Sequence, residues 1–334
     1  MTTYDVHAHC VPSGLLGELR RDPSRYGAEV VEQDGLTSVR FAGGLTTPAI
    51  RDDLVDISHG LAAMDAGRVD VQLISSWIDL TGYGLPSDAA VRYTRMFNES
   101  LAAMVALHPD RFLGLCTVPL QDPPAAAAQL RRAITQDGFV GAEIATTVNG
   151  VDLDDPGLDP FWDAAAGLRC PILVHPYLPL AGRDVSRYLL ENLVGRAAES
   201  TIAVAHLVFG GVLERFPELA LIIVHGGGFV PWQAARWDRG YEAVPSKTAV
   251  NLTGKPTESL HNVYFDTVLH DPKVVGYLVD WAGADRVVLG TDYPFPMGDL
   301  TPVDTLDAVL SLTPSDRAAI LHGNVERLVA GIRR

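Results

Sequence analysis

Short, nearly unbroken apolar runs punctuate the chain at 69–75, 112–118, 139–145, 171–175, 219–224, 263–266 and 286–290. Runs of this kind, rich in Val, Ile and Leu and bounded by turn residues, predict strands buried on both faces. Between them, apolar residues recur three and four apart, which is the spacing of a helix with one buried face. The clearest case is 51–67, where Leu54, Ile57, Leu61 and Met64 share a side. Further helices are predicted at 87–107 with Ser87 as N-cap, at 122–134 with Pro123 and Pro124 in its first turn, and at 159–167. A long helical region covers 183–216 with a break expected near Ser200, and a helical tail follows Pro302.

The first strand carries Asp5-Val6-His7-Ala8-His9. Strict alternation aims His7 and His9 into one space and packs Val6 and Ala8 the other way. From 11 to 50 the text is turn-rich, and Val30-Val31 and 37–41 flank Gln33-Asp34-Gly35 as a hairpin. This stretch is expected as an insertion after strand one, over the mouth of the site. Eight strand signals alternating with helices predict an α/β chain built as a closed parallel barrel, a single domain over 1–334. A doubly wound open sheet is second choice, because no Gly-x-Gly-x-x-Gly follows the first strand.

At 47% apolar and 20% charged residues, the chain has enough apolar material for one large core and is not a disordered one. A net charge of −15 excludes nucleic acid and anionic membrane as natural partners and leaves a small molecule. No apolar run reaches the ~20 residues of a membrane span. Cys10, Cys116 and Cys170 are scattered without a Cys-x-x-Cys pair, as expected of buried thiols in a reducing cytoplasm.

Four predicted strand ends carry the same chemistry: His7 and His9 after strand one, His175 after five, His225 after six and Asp292 after eight. In a barrel, residues at these ends meet at one mouth. Their nitrogen and oxygen donors suit Zn²⁺, with Mn²⁺ or Fe²⁺ as alternatives, and such an ion brings the pKa of a bound water to near ~7. Five groups exceed the usual ligand count, and His225, which precedes Gly226-Gly227-Gly228, is read as the general base. His206 is read as a packed core histidine on a helix, and His270 lies just past strand seven. Arg51, Arg236 and Arg239 are the cationic candidates for binding a carboxylate.

These motifs resemble the amidohydrolase superfamily over nearly the whole chain. The pattern of His-x-His, a lone His after strand five, His225-Gly226-Gly227-Gly228 and Gly-Thr-Asp-Tyr-Pro-Phe-Pro at 290–296 is similar, more narrowly, to its metal-dependent nonoxidative decarboxylases of the aminocarboxymuconate-semialdehyde type. Stretches at 149–153, 193–195, 199–203, 210–212, 216–217 and 270–272 add to the likeness. The resemblance implies a distorted (β/α)8 TIM barrel with one Zn²⁺ on His7, His9, His175 and Asp292. His225 then activates a metal-bound water or hydroxide, or shuttles its proton. Arg51 binds a substrate carboxylate, and Arg236 reaches the neighbouring subunit's site in a homodimer. The implied reaction is loss of CO₂ from 2-amino-3-carboxymuconate 6-semialdehyde or a related carboxylated acid in aromatic or tryptophan catabolism.

Glu143 stands where binuclear members of the superfamily carry a bridging lysine or acid, and a mononuclear centre is expected. The sequence departs from the resemblance at Cys10-Val11, at Leu189-Leu190-Glu191-Asn192 and in the placing of Arg239, positions expected to line the pocket. The alternative activity is a hydrolase or hydratase acting on a lactone, amide or unsaturated acid, because the same metal chemistry serves each. A non-catalytic barrel with structural histidines is disfavoured by their clustering at strand ends.

Overall fold

The computed structural model describes residues 2–177 and 184–333. Eight strands follow one another around a parallel sheet. They are β1 (Tyr4–Cys10), β2 (Val71–Ser76), β3 (Phe112–Cys116), β4 (Gly141–Ala145), β5 (Pro171–His175), β6 (Ala220–Ile223), β7 (Val263–Asp266) and β8 (Val287–Val288). Helices lie between them, so the fold is the expected (β/α)8 barrel. Its distortion is at the seam. β8 has only two residues, and closure onto β1 passes through the segment that follows it: Val6 N–H donates to the Leu289 carbonyl (2.9 Å), Asp292 N–H to that of His7 (2.8 Å) and His9 N–H to that of Tyr293 (2.8 Å).

Alternate residues of the strands fill the barrel. Val6, Leu73, Leu115, Leu173, Ile222, Tyr264 and Val288 form one buried cluster, and Val325 and Leu328 of the terminal helix (Asn324–Ala330) join it. The intervening residues, among them Ile74, Cys116, Ile144, Val174, Ile223 and Phe265, pack outward into the layer beneath the helices. Burying a side chain of this size contributes ~1.5–3 kcal/mol, so the lower barrel is a rigid floor on which polar groups can be held above.

Strand β1 breaks the simple alternation. Asp5 lies opposite Gln72 and Ala8 opposite Ile74, three steps on β1 against two on β2. This bulge lets Val6 stay in the interior cluster while His7 and His9 also point inward, so Val6 does not pack away from them as alternation predicts. Asp5 faces the other way. It accepts from Thr291 Oγ1 (2.6 Å), Thr291 N–H (3.0 Å) and Gln72 Nε2 (2.8 Å), tying β1 to both neighbours.

Several helix limits differ from the sequence pattern. The 51–67 segment splits into Asp52–Val55 and Ile57–Gly67, because Asp56 turns extended and caps the second helix through Ser58 N–H. Ser87 is the first residue of Ser87–Val105, with Pro86 as N-cap, and its hydroxyl donates to Asp122, the true cap of Pro123–Thr135. The start expected at 183 lies outside the described residues. A π-helical turn, Glu191–Gly195, runs into Arg196–Phe209 without interruption at Ser200. The break comes at Gly210-Gly211, where a Cβ on Gly211 (φ +72°) would meet the Asn251 carbonyl at 2.6 Å.

In the insertion, the hairpin (Ala28–Gln33 and Leu36–Phe41) is joined by two helices, Ser13–Arg21 and Pro23–Tyr26, that the turn-rich text conceals. It packs on the barrel's flank against Ser87–Val105, with Phe41 edge-on to Tyr93 and Arg92 Nε donating to the Arg25 carbonyl at 2.9 Å. All three cysteines are free and buried. Among the described residues no helix is long and apolar enough to cross a membrane.

Candidate active site

The strand ends do converge. His7 and His9 leave β1, His175 is the last residue of β5, and His225 and Asp292 follow β6 and β8. His225 and Asp292 both adopt left-handed backbone (φ 55° and 57°), a strain of order 1–3 kcal/mol each for a residue with a Cβ. The strain has a use at His225: Val224 already faces the interior, and the turn brings the next side chain inward as well.

One donor atom each from His7, His175, His225 and Asp292 lies within 4.8 Å of the others. His9 completes the group, its Nε2 3.1 Å from His7 Nε2 and 3.3 Å from Asp292 Oδ1. Asp292 Oδ1 is also 3.3 Å from His7 Nε2, is buried, and has no well-aligned hydrogen bond. Asp292 Oδ2 lies 3.4 Å from His225 Nε2. Three of the imidazoles are fixed from behind: His7 Nδ1 by Asp266 Oδ2 (2.7 Å), His9 Nδ1 by the Ser76 carbonyl (3.0 Å) and His175 Nδ1 by the Pro176 carbonyl (2.9 Å). His225 Nδ1 is buried without a partner.

The electrostatics follow from this packing. Burial raises the cost of charge on Asp292, yet His7, His225 and His9 hold its carboxyl well below the usual range, and against the same cost His7 lowers that of Asp266. Burial opposes a proton on His7, but the Asp292 and Asp266 carboxylates outweigh it and lift that imidazole to about 10. Burial and the neighbouring imidazoles keep His175 neutral, well below its ordinary value. The cluster therefore holds two ionised carboxylates in a largely buried site and draws a positive charge to its centre. An unbonded carboxylate oxygen, the neutral His175 imidazole and mixed N/O donors fit a divalent cation.

Beside the cluster opens a cavity of about 460 Å³. Its walls are largely aromatic and apolar, including Trp77, Phe229, Trp232, Leu269 and Phe295, with Asn192, Arg196 and His270 among the polar lining. Asn192 is the one member of the departing 189–192 stretch in this lining, whereas Cys10 packs in the helix-facing layer. No residue from 11–50 is in the described lining.

The predicted arginines are elsewhere. Arg51 pairs with Asp53 and donates to the Pro294 carbonyl (3.0 Å), outside the lining. Arg236 is exposed on the helix Val230–Ala243 and makes no ion pair among the described residues, and Arg239 lies 3.8 Å from Glu242. His206, expected as a packed core histidine, instead lies half-exposed on the outer helix layer, where it bonds Asp154 at 2.9 Å.

Sequence reasoning missed Asp266, although it ends a predicted strand like the other site residues. It missed Arg196 and its neighbour Asp79, which no strand-end rule marks. Glu143 is also in place, buried, 3.6 Å from His9 Nδ1, with neither oxygen hydrogen-bonded and its carboxyl pushed by burial up to about 7.

A profile of the amidohydrolase family matches residues 4–330. The chain belongs to that family, in its branch of metal-dependent decarboxylases. It is 34% identical over 257 residues to a 2-amino-3-carboxymuconate-6-semialdehyde decarboxylase of Dictyostelium discoideum, covering 77% of this chain and 71% of that protein. It is 28% identical to a 2-keto-4-carboxy-3-hexenedioate hydratase of a Sphingobium strain over 263 residues, 72% of each chain. In three dimensions it superposes with a TM-score of 0.80 on a dihydroxybenzoic acid decarboxylase of Polaromonas bound to manganese and 2-nitroresorcinol, at 23% identity over 98% of this chain and 97% of that one.

Proposed function

We propose that the chain is a divalent-metal-dependent nonoxidative decarboxylase of a small carboxylated muconate or aromatic acid. The carrying observation is the asymmetry among the imidazoles beside an aromatic-walled cavity. His7, His9 and His175 each have Nδ1 occupied from behind, the arrangement of metal-ligating histidines, and His225 does not. We assign His7, His9, His175 and Asp292 as ligands and His225 as the acid–base group.

When bound, the cation supplies Lewis acidity and positive charge beside the substrate. The chain's own groups do the rest. Trp77, Phe229 and Phe295 hold the conjugated plane and exclude water. His225, with one nitrogen near Asp292 and the other free, passes a proton to the carbon bearing the carboxylate. The carbon–carbon bond then breaks, its electron pair restores conjugation, and CO₂ leaves, so that RCOO⁻ and H⁺ become RH and CO₂.

The finer assignments are Zn²⁺ as the ion and 2-amino-3-carboxymuconate 6-semialdehyde as the substrate, supported by the Dictyostelium relative. A homodimer that brings Arg236 to the neighbouring subunit's site is supported by its unpaired, exposed position. Arg51, beside Pro294, is assigned to the carboxylate at the rim. Free buried thiols go with a reducing cytoplasm. The hydratase relative favours a second reading, water addition to an unsaturated acid in the same cavity.

The test is an assay of metal-quantified protein with enzymatically generated semialdehyde, following chromophore loss and CO₂ together. Stoichiometric CO₂ supports the decarboxylase, decay without CO₂ the hydratase, and inertness of the metal-loaded protein removes this substrate.

A further inference from the structure

Arg196 is the one arginine or lysine in the described lining of the cavity. It is half-buried at the junction where the π-helical turn Glu191–Gly195 passes into the helix Arg196–Phe209. A π-turn adds a residue to the helical repeat, and here it sets Asn192, Leu193, Arg196 and Ala197 on the side facing the cavity. Among the described residues no other arginine or lysine lines the cavity: Arg51 pairs with Asp53 outside this lining, and Arg236 is exposed.

The position of Arg196 is tied to the proposed metal centre. The Pro176 carbonyl accepts from His175 Nδ1 at 2.9 Å and also from Arg196 Nη1, which lies 3.3 Å from the Tyr177 carbonyl as well. One carbonyl oxygen thus fixes an imidazole of the cluster and the guanidinium to each other. The remaining guanidinium nitrogens make no hydrogen bond among the described residues. A guanidinium is planar and binds a carboxylate through paired N–H groups.

We propose that Arg196 is a specificity-determining residue that binds a second carboxylate of the substrate, selecting acids whose two carboxylates span the fixed separation between the metal centre and the guanidinium. The assignment rests on the decarboxylase reading for the carboxylate that leaves, and concerns the one that stays.

Binding of benzene-1,3-dicarboxylate and of benzoate, measured by titration calorimetry on the metal-loaded chain, separates the two claims. The dicarboxylate should bind about tenfold more tightly than benzoate, a preference of about 1.4 kcal/mol. Arg196→Met should bring the ratio to about one, and Arg196→Lys should keep part of it. Metal content near that of the parent protein in both variants shows that His175 is undisturbed. A parent protein without the preference, a ratio unchanged in Arg196→Met, or Arg196→Lys behaving like Arg196→Met overturns the assignment. Collapse of the ratio in Arg196→Met with retention in Arg196→Lys upholds it, whether or not CO₂ is released from any acid, so failure of the decarboxylase reading is read separately.

Discussion

His7 donates its Nδ1 hydrogen to Asp266 Oδ2 at 2.7 Å, with both side chains fully buried. The same carboxylate accepts from Gly226 N–H (2.8 Å) and Val268 N–H (3.2 Å), so a single group from β7 orients a β1 imidazole and the loop that carries His225. Asp266→Asn keeps the volume and removes the charge that fixes the imidazole. Its expected effect is a 10- to 100-fold loss of metal affinity, as for other groups behind a ligating histidine. Metal competition with a fluorescent chelator measures this, and unchanged affinity would show that His7 needs no such support.

His225→Gln should leave about one metal ion per chain and lower kcat by 10²- to 10⁴-fold, the range for an acid–base group. Elemental analysis beside steady-state kinetics distinguishes the roles, because loss of the ion would make His225 a ligand.

Asp79, on the turn after β2, is raised to about 6 by burial, with Arg196 holding it down and Glu191 pushing it up. A carboxyl raised in the folded chain stabilises it fully below the unfolded value near 3.8, and that contribution is lost as pH rises through about 6. Above that point Asp79 is anionic and competes with an acidic substrate for Arg196, while Tyr177, which also faces it, stays neutral. KM for the acid should therefore rise between pH 5 and 7, about twofold or more, and the rise should be absent in Asp79→Asn. Parallel profiles for the two proteins would remove Asp79 from the site.

Gly228 has φ +61°, and a Cβ there would meet the Ala197 carbonyl oxygen at 2.1 Å. Gly228→Ala should cost roughly 2 kcal/mol or more, through backbone strain and displacement of the helix that carries Arg196. Thermal unfolding should show a midpoint several degrees lower, and an unaltered midpoint would mean the loop yields freely.

Chelation should abolish turnover and also lower the unfolding midpoint, since an ion at 1,000 times its Kd contributes about 4 kcal/mol to the folded state. Readdition of Zn²⁺ or Mn²⁺ should restore both, and a midpoint indifferent to chelator would place no ion at these donors.

The linear pattern carried a great deal of this. Apolar runs marked seven of the eight barrel strands, because a parallel strand covered on both faces must be apolar throughout, and the first was marked by the alternation in Asp5-Val6-His7-Ala8-His9. The strand ends pointed to His7, His9, His175, His225 and Asp292 because barrel topology delivers those ends to one mouth. Termini shifted by a few residues where local capping won, as at Asp56 and Asp122.

What the sequence by itself determined was the element order, the barrel and the kind of chemistry, all of which follow from local periodicity and residue type. Tertiary structure alone decided that a bulge turns Val6 and His7 inward together, that Asp266 stands behind His7, and that Arg196 rather than Arg51 enters the cavity. These are long-range relations: residues 259 apart in the chain meet at His7 and Asp266, and no local rhythm encodes which distant groups a closed sheet brings face to face.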